Sequence, residues 1–388
     1  MTTVLLLGGG TQGLAMTRAI STIRHHRVVL LCGEEHNYAE DSRYVWKRLS
    51  SNACVDKEEY LEQVLQTVED YAVDVIIPMG DLSAVFVSKN KDILEKVTHI
   101  KTPQYESFLR GYDKNKLMTL CCEKGFPHPK TVDLSRVENV ENCELLRSFP
   151  YPAMLKPNCS TGGRGMVEVS SYKELTDRYA TLHEEYGDYH LQQFIQPGGR
   201  QMKVQLYVDA QQHLVASSVM QKCRWYPNKA GSNCCAVSVS NPEQVNICHQ
   251  VLKEIGWVGF ADFDLIEGPT TGQFLIMEIN PRVPACIKLP IAAGINWAEI
   301  MVNDALERPL QHYDYKEGVC LRHLGLDLLW FIHAKNRWHT SPSWFHFIGR
   351  KVCYQDMSGW KDPMPFLWGT WHNVKKMNDP SFKNAKGL

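Results

Sequence analysis

Two stretches of this chain place side chains suited to phosphate and metal chemistry at close spacing. In Gly259–Arg282, GFADFDLIEGPTTGQFLIMEINPR, two apolar runs flank the turn Gly268–Gly272, with Asp264 in the first and Glu278 in the second. Asn280 lies two residues beyond Glu278, so on an extended chain both side chains point to one face. Two carboxylates and an amide on one face form an all-oxygen site suited to Mg²⁺. Phe263, Leu265, Ile266 and Ile276 surround them, and carboxylates so placed are costly to bury without a cation or donors. Asp262 shares the face of Asp264; it reads as a residue on a solvated strand face and serves as a backup ligand.

The second stretch is Tyr151–Val167, YPAMLKPNCSTGGRGMV. A buried strand delivers Lys156, and a polar loop follows through Asn158, Cys159, Ser160, Thr161, Gly162, Gly163, Arg164 and Gly165. Glycines let a backbone close over phosphates, and bare amides there donate hydrogen bonds to the oxygens. The lysine and arginine supply charge. The Walker pattern G-x-x-x-x-G-K-[ST] is absent, and a glycine-rich hairpin with a basic residue is the plain alternative. Arg224, in KCRWYPNKAGS, follows a strand and can clamp a substrate carboxylate bidentately, with Tyr226 and the turn at Gly231 and Ser232 shaping the pocket. The 15 His show no metal spacing.

The elements that must position these groups follow from pattern. Up to about residue 100 strand and helix alternate: Val4–Leu7, Gly13–Arg24, Val28–Leu31, a helix near Lys57–Asp70, and Val73–Pro78. This predicts a parallel sheet covered by helices. Gly8, Gly10 and Gly13 give the G-x-G-x-x-G spacing of a dinucleotide turn, with Glu34 and Glu35 where a ribose-binding acid would stand. Near Asp113 the pattern changes: a helix Lys114–Lys124 ends at Gly125, and from Tyr151 to Ile279 the strands come as hairpins, an α+β pattern. The fold class is therefore α/β plus α+β. The net charge of −1 gives no support to a nucleic-acid or anionic-membrane partner. No stretch reaches the roughly 18 apolar residues of a membrane span. The 13 Cys include no C-x-x-C pair and fit a reducing cytosol, so a cytoplasmic location is expected.

In combination these motifs resemble the ATP-grasp superfamily of carboxylate–amine ligases, in the carbamoyl-phosphate-synthase-like and D-aspartate-ligase-like branch. Asp113–Lys114 is similar to the family's helix-opening pair, Lys156 to its strand lysine, and residues 158–165 to its mobile glycine loop. LQQFI, Leu191–Ile195, resembles its hinge, and MEINPR, Met277–Arg282, its E-x-N-P-R signature. The resemblance implies a Rossmann-like pre-ATP-grasp domain over 1–105 and a small subdomain carrying the glycine loop over 106–190. A large subdomain with the metal site over 191–310 and an aromatic-rich extension over 311–388 complete the implied plan. It also implies that Lys114, Lys156 and the loop Ser160–Arg164 hold ATP phosphates, and that the backbone of Gln193, Phe194 and Ile195 reads the adenine. Gln201 stands where the family often has Glu or His to hold the nucleotide. Asp264 and Glu278 would bind Mg²⁺, with two ions expected and Mn²⁺ able to substitute, and Asn280 would complete the set. Arg282 would hold the transferred phosphoryl group, and Lys288 lies where related ligases place substrate-side residues.

The implied reaction activates a carboxylate as an acyl phosphate and joins it to an amine, with an amino acid as the expected substrate. The partners are these small molecules, and a homodimer is compatible with them. The N-terminal glycines then shape the first turn of a sheet that faces the ligase site and need no NAD. Two other readings stand beside this one: a nicotinamide-dependent oxidoreductase using Gly8–Gly13, and an ATP-binding regulator without turnover. The Trp-rich C-terminal segment reads as a small aromatic core packed on the main body.

Overall fold

The protein was analysed as a computed structural model that describes residues 1–160, 163–227, 231–349, 351–355 and 361–377. Among these residues the strands form three sheets. The first is parallel, with β1 (Thr2–Leu7), β2 (His26–Gly33), β3 (Val45–Ser51) and β4 (Val75–Pro78) in the order β3-β2-β1-β4. Every residue of β1 is buried, which is why TTVLLL reads as an apolar run without alternation. Helix Gly10–Ser21 covers one face, where Leu6, Leu14 and Leu30 share a core with Trp297 and Ile300 of helix Trp297–Ala305. Helices Glu58–Tyr71 and Asp81–Lys89 cover the other face over Leu5, Leu7 and Val29. Strand β3 was not foreseen: VWKRLSS is largely polar because it is an exposed edge strand.

The glycine turn does close-packing work. Gly8 has φ +110°, and a Cβ on Gly9 would lie 2.0 Å from Asn37 Oδ1, whose oxygen accepts from the Gly10 N–H. Only glycine lets the backbone pass so close to Asn37.

The second sheet is antiparallel, with β5 (Thr131–Asp133), β6 (Ala153–Pro157), β7 (Val167–Val169) and β8 (Tyr189–Gln193) in the order β5-β8-β6-β7. Helix Tyr172–Tyr186 covers it through Leu175, packed on Leu155, Val169 and Leu191. The third sheet is the largest. Strands β9 (Gln201–Val208), β10 (Leu214–Tyr226), β11 (Ser232–Val239), β12 (Gly259–Glu267), β13 (Phe274–Asn280), β14 (Cys320–Arg322) and β15 (Val352–Tyr354) run in the order β13-β12-β9-β10-β11-β14-β15. Helix Pro242–Ile255 packs on one face through Cys248, Val251 and Leu252.

Two features differ from the expected plan. The boundary placed at 190/191 falls inside β8, so the small sheet extends to Gln193. The segment after 310 does not stand apart either: β14 and β15 complete the large sheet, and helix Leu324–His333 packs against β10 and β11. Its aromatic residues do cluster, with Phe331 stacked on Trp344 at 4.0 Å and edge-on to Trp338. Trp360 and the last eleven residues lie outside the described residues. Among the described residues no single helix is long and apolar enough to cross a membrane.

Candidate active site

A cavity of about 590 Å³ opens where the three sheets meet. Its walls include Lys114, Lys156, Ser160 and Gly163 on one side and Gln201, Asp264, Glu278, Asn280 and Arg282 on the other. Thr11 and Asp81 reach it from the first turns of the helices that follow β1 and β4, and His323, Leu326 and Gln355 from the C-terminal segment.

Lys114 opens helix Lys114–Lys124, whose N-cap Asp113 accepts hydrogen bonds from the N–H groups of Asn115 and Lys116. Gly125, with φ +73°, closes that helix in the left-handed conformation. The Lys114 N–H donates to the Asn158 carbonyl and its Nζ to the Ser160 carbonyl at 3.1 Å, so helix and glycine loop are tied together. Its Nζ also stands 3.4 Å from Glu278 Oε2.

Lys156 projects from β6, buried, with Nζ 2.5 Å from Gln192 Oε1 on the neighbouring strand. Among the described residues it makes no ion pair, unlike Lys114 and Arg282. Burial lowers its pKa to about 8; Glu278 opposes that fall and Lys114 adds to it. Opposite it in register on β8 is His190, fully buried, with Nδ1 2.8 Å from Asn158 Oδ1. Burial first, and the two lysines next, hold His190 neutral well below the usual imidazole range. The pair leaves this corner short of negative charge, the condition a polyphosphate satisfies.

On the large sheet, β12 and β13 put Asp264 directly across from Glu278 and Asp262 across from Asn280. The Asn280 amide donates to Asp264 Oδ2 at 3.0 Å. Two lysines that the sequence reading passed over complete this cluster. Lys203 on β9 bridges Asp262 (2.6 Å) and Asp264 (2.7 Å), and Lys222 on β10 reaches the other oxygen of Asp264 at 2.7 Å. Burial would push the Asp264 carboxyl up, but Lys203 and Lys222 together hold it well below the carboxylate range. Burial likewise opposes the charge on Lys203, yet Asp262 and Asp264 raise it. The signal for Lys203 was present: β9 alternates Gln201, Lys203, Gln205 with buried Met202, Val204, Leu206, a polar face on a core strand.

Asp262 corrects an expectation. It is fully buried, not solvated, and held by Lys203 and by Gln205 Nε2 at 3.2 Å. Glu278, with a third of its side chain exposed, is the carboxylate that opens to the cavity. Arg282 is fixed by Asp81, the first residue of helix Asp81–Lys89, Nε to Oδ1 at 3.1 Å, so the start of that helix steadies the chain just after β13.

Other expected residues lie elsewhere. Arg224 is 1% exposed and does not line the cavity. Its Nε and Nη2 bind Asp327 at 2.7 and 3.1 Å, and Nη1 donates to the Pro342 carbonyl at 2.6 Å. The carboxylate it clamps is therefore the protein's own. Tyr226 packs against His333, and Lys288 Nζ donates to the Tyr354 carbonyl. Arg164 is exposed, and neither it nor Gln193, Phe194 or Ile195 lines the cavity; the Gln193 N–H donates to the Lys130 carbonyl. Thr161 and Gly162 lie outside the described residues. A separate hollow of about 350 Å³ lies at Gly8–Gly10 beside Cys32, Tyr60 and Met79. Glu34 and Glu35, the acids that a ribose would need, are exposed and do not line it.

With the geometry in view, comparison with known proteins adds its own findings. Residues 113–312 match the family described as carbamoyl-phosphate synthase L chain, ATP binding domain. The D-aspartate ligase of Enterococcus faecium is 25% identical over 270 residues, 63% of this chain and 63% of that protein. The C-terminal section of the carbamoyl phosphate synthase large chain of Methanopyrus kandleri is 21% identical over 261 residues, 64% of this chain and 47% of the relative. The chain thus spans less than two thirds of the length of either relative. Among solved structures, Campylobacter jejuni biotin carboxylase in its β-γ-ATP complex superposes with a TM-score of 0.66 at 19% identity, covering 81% of this chain and 73% of that one.

Proposed function

The chain belongs to the carbamoyl-phosphate synthase L chain ATP-binding family and has the ATP-grasp fold, and from that premise we propose that it is an ATP-dependent carboxylate–amine ligase. A substrate carboxylate oxygen attacks the γ-phosphorus of ATP; the new O–P bond forms as the bond to the β-phosphate oxygen breaks, releasing ADP. An amine then attacks the acyl phosphate carbon; the C–N bond forms, the C–O bond to phosphate breaks, and the nitrogen gives up a proton as phosphate leaves.

Such a transfer asks the protein for positioning and charge neutralisation more than for a nucleophile. Lys114 from its helix and Lys156 from the small sheet reach the phosphates beside Ser160. Arg282, braced by Asp81, faces the transferred group. Gln201 lines the nucleotide side of the cavity. The donor set Asp264, Glu278 and Asn280 fits a hard divalent cation that takes one or two carboxylates and fills its shell with phosphate oxygens. Lys203 and Lys222 pair with Asp264 and keep it ionised, which supports a charge-binding role for this carboxylate. Bound there, Mg²⁺ or Mn²⁺, as one ion or two, supplies Lewis-acid neutralisation of the phosphates. The thirteen free cysteines support a reducing, cytoplasmic setting.

One observation carries this reading: a buried lysine without an ion-pair partner among the described residues, Lys156, faces the same cavity as Lys114, Glu278, Asp264 and Arg282. The test is ADP release from Mg-ATP with pooled amino acids and amines, followed by mass detection of the new amide. Glu278→Gln and Lys156→Ala should abolish turnover with unchanged circular dichroism. Turnover surviving in both folded variants would remove the assignment.

A further inference from the structure

Among the described residues, Asp264 is the carboxylate of the cavity wall that carries two ammonium groups. Lys203 Nζ stands 2.7 Å from its Oδ2, and Lys222 Nζ 2.7 Å from its Oδ1. Asn280 donates a further hydrogen bond to Oδ2 at 3.0 Å. Both oxygens thus have cationic partners. A divalent cation on this carboxylate would stand against two ammonium charges within a few ångströms, where like charges repel strongly. One lysine has to give way.

The two lysines are not equally held. Lys203 has a second anchor: its Nζ is also 2.6 Å from Oδ2 of the fully buried Asp262. Gln205 Nε2 donates to the other oxygen of Asp262, and Ser218 Oγ donates to Gln205 Oε1 at 2.9 Å, so this anchor is tied into the sheet. Lys222 has Asp264 as its only ion-pair partner among the described residues, and 20% of its side chain is exposed against 12% for Lys203. Lys222 is therefore the lysine that can leave, on a flexible four-carbon stem.

Strand order says which side of the cavity Lys222 serves. From β13 to β11 the wall carries Glu278, Asp264, Lys203, Lys222 and Asn233 in turn. Lys114, a nucleotide lysine, meets the Glu278 end. Lys222 stands three strands from there, next to the strand that brings Ser232 and Asn233 to the cavity.

We propose that Lys222 is a placeholder cation: it holds Asp264 until a divalent cation takes that carboxylate, and then carries the carboxylate of the acidic substrate on the β11 side of the cavity. The inference rests on the ligase reading above. No covalent bond changes in the exchange. Asp264 keeps a positive partner throughout, and the released ammonium gains a new anion. An order of assembly follows, in which loading of metal completes the substrate site.

The experiment uses the full chain with Mn²⁺ alone, its binding read by electron paramagnetic resonance. Lys222→Met removes the competing charge, so Mn²⁺ should bind roughly tenfold tighter, the worth of one charged hydrogen bond. A merely structural lysine would give weaker binding on removal. In the wild type, acetic anhydride labelling with peptide mapping should show Lys222 more reactive with Mn²⁺ than without it, and Lys203 unchanged. This measurement decides even where the variant fails to fold. With Mg-ATP and the pooled amino acids and amines, the pool concentration for half-maximal ADP release should rise in Lys222→Met, and that of Mg-ATP should not. Equal or weaker Mn²⁺ binding by the variant, or Lys222 labelling indifferent to Mn²⁺, would overturn the exchange. A rise for Mg-ATP in place of the pool would put Lys222 on the phosphates and overturn the substrate role. Mn²⁺ binding by neither protein would remove the metal site itself, and with it the ligase reading.

Discussion

Lys222 and Arg224 are two residues apart on one strand, yet they serve different clusters. Lys222 reaches Asp264 in the cavity, while Arg224 holds Asp327 of helix Leu324–His333. Both clusters gather cations around aspartate, and both sit on the large sheet. They differ in access. Lys203, Lys222, Asp264 and Glu278 line a cavity of about 590 Å³, whereas Arg224, Arg322 and Asp327 are each 1% exposed. Charge in the first cluster is available to a ligand; charge in the second is spent on holding β10, β14 and the helix together.

The comparison breaks most visibly at Asp327. Asp327→Ala leaves two buried guanidinium groups on no anion, and breaking such a buried pair costs about 3–5 kcal/mol. Urea unfolding should show that loss, whereas Asp264→Asn, beside Lys203 that still has Asp262, should lose turnover with a much smaller stability change. A silent Asp327→Ala would mean that the buried cluster holds nothing. The next effect is at Lys222. Lys222→Met should lower ADP release on the order of 10²-fold, about 2.7 kcal/mol of barrier, with circular dichroism unchanged. Arg224→Met should instead appear as lost stability, with normal turnover in whatever fraction folds. Exchange of these two phenotypes would refute the assignment of the two residues to separate clusters.

Arg224 also marks where the sequence stopped being readable. Lys156, Asp264, Glu278, Asn280 and Arg282 were legible because each sits at fixed spacing inside one hairpin or strand, and the structure gathers them on one cavity. Lys203 was legible in principle from the alternation of β9 but carried no motif. Arg224 was misplaced because its carboxylate partner, Asp327, lies 103 residues away in the chain, which no local pattern reveals. Strands β14 and β15, of three residues each, were invisible for a related reason: their partners lie far away in sequence, and short segments carry little periodic signal. The parallel N-terminal sheet was read correctly in its buried strands and missed at its polar edge.

A smaller effect sharpens the claim that Lys156 waits for phosphate. Its pKa, lowered to about 8 by burial, keeps the ammonium below that pH and loses it above. Phosphate binding needs the charged form, so ADP affinity should be steady below pH 8. Above it, affinity should fall by up to tenfold per unit, about 1.4 kcal/mol. Calorimetric titration from pH 7 to 9.5 measures this, and Lys156→Arg should flatten the profile. An affinity independent of pH in the wild type would mean that another group carries the nucleotide.

The smallest effect belongs to a third kind of pair, neither in the cavity nor in the core. Arg200 and Glu267 meet at the rim of the β12–β13 hairpin with two side-chain contacts, at 2.9 and 2.6 Å, and half of the Arg200 side chain is exposed. Hydrogen bonds from Arg200 hold the Glu267 carboxyl down at about 2. A carboxylate whose pKa is depressed on folding contributes stability above the unfolded value near 4.5 and loses it as the pH falls toward 2. Solvent screening limits such a pair to about 0.2–1 kcal/mol. Arg200→Ala should therefore shift the urea midpoint slightly at pH 7, and less in high salt. A loss as large as that of Asp327→Ala would show that access to solvent, on which the whole comparison of clusters rests, does not set the worth of a charge pair in this sheet.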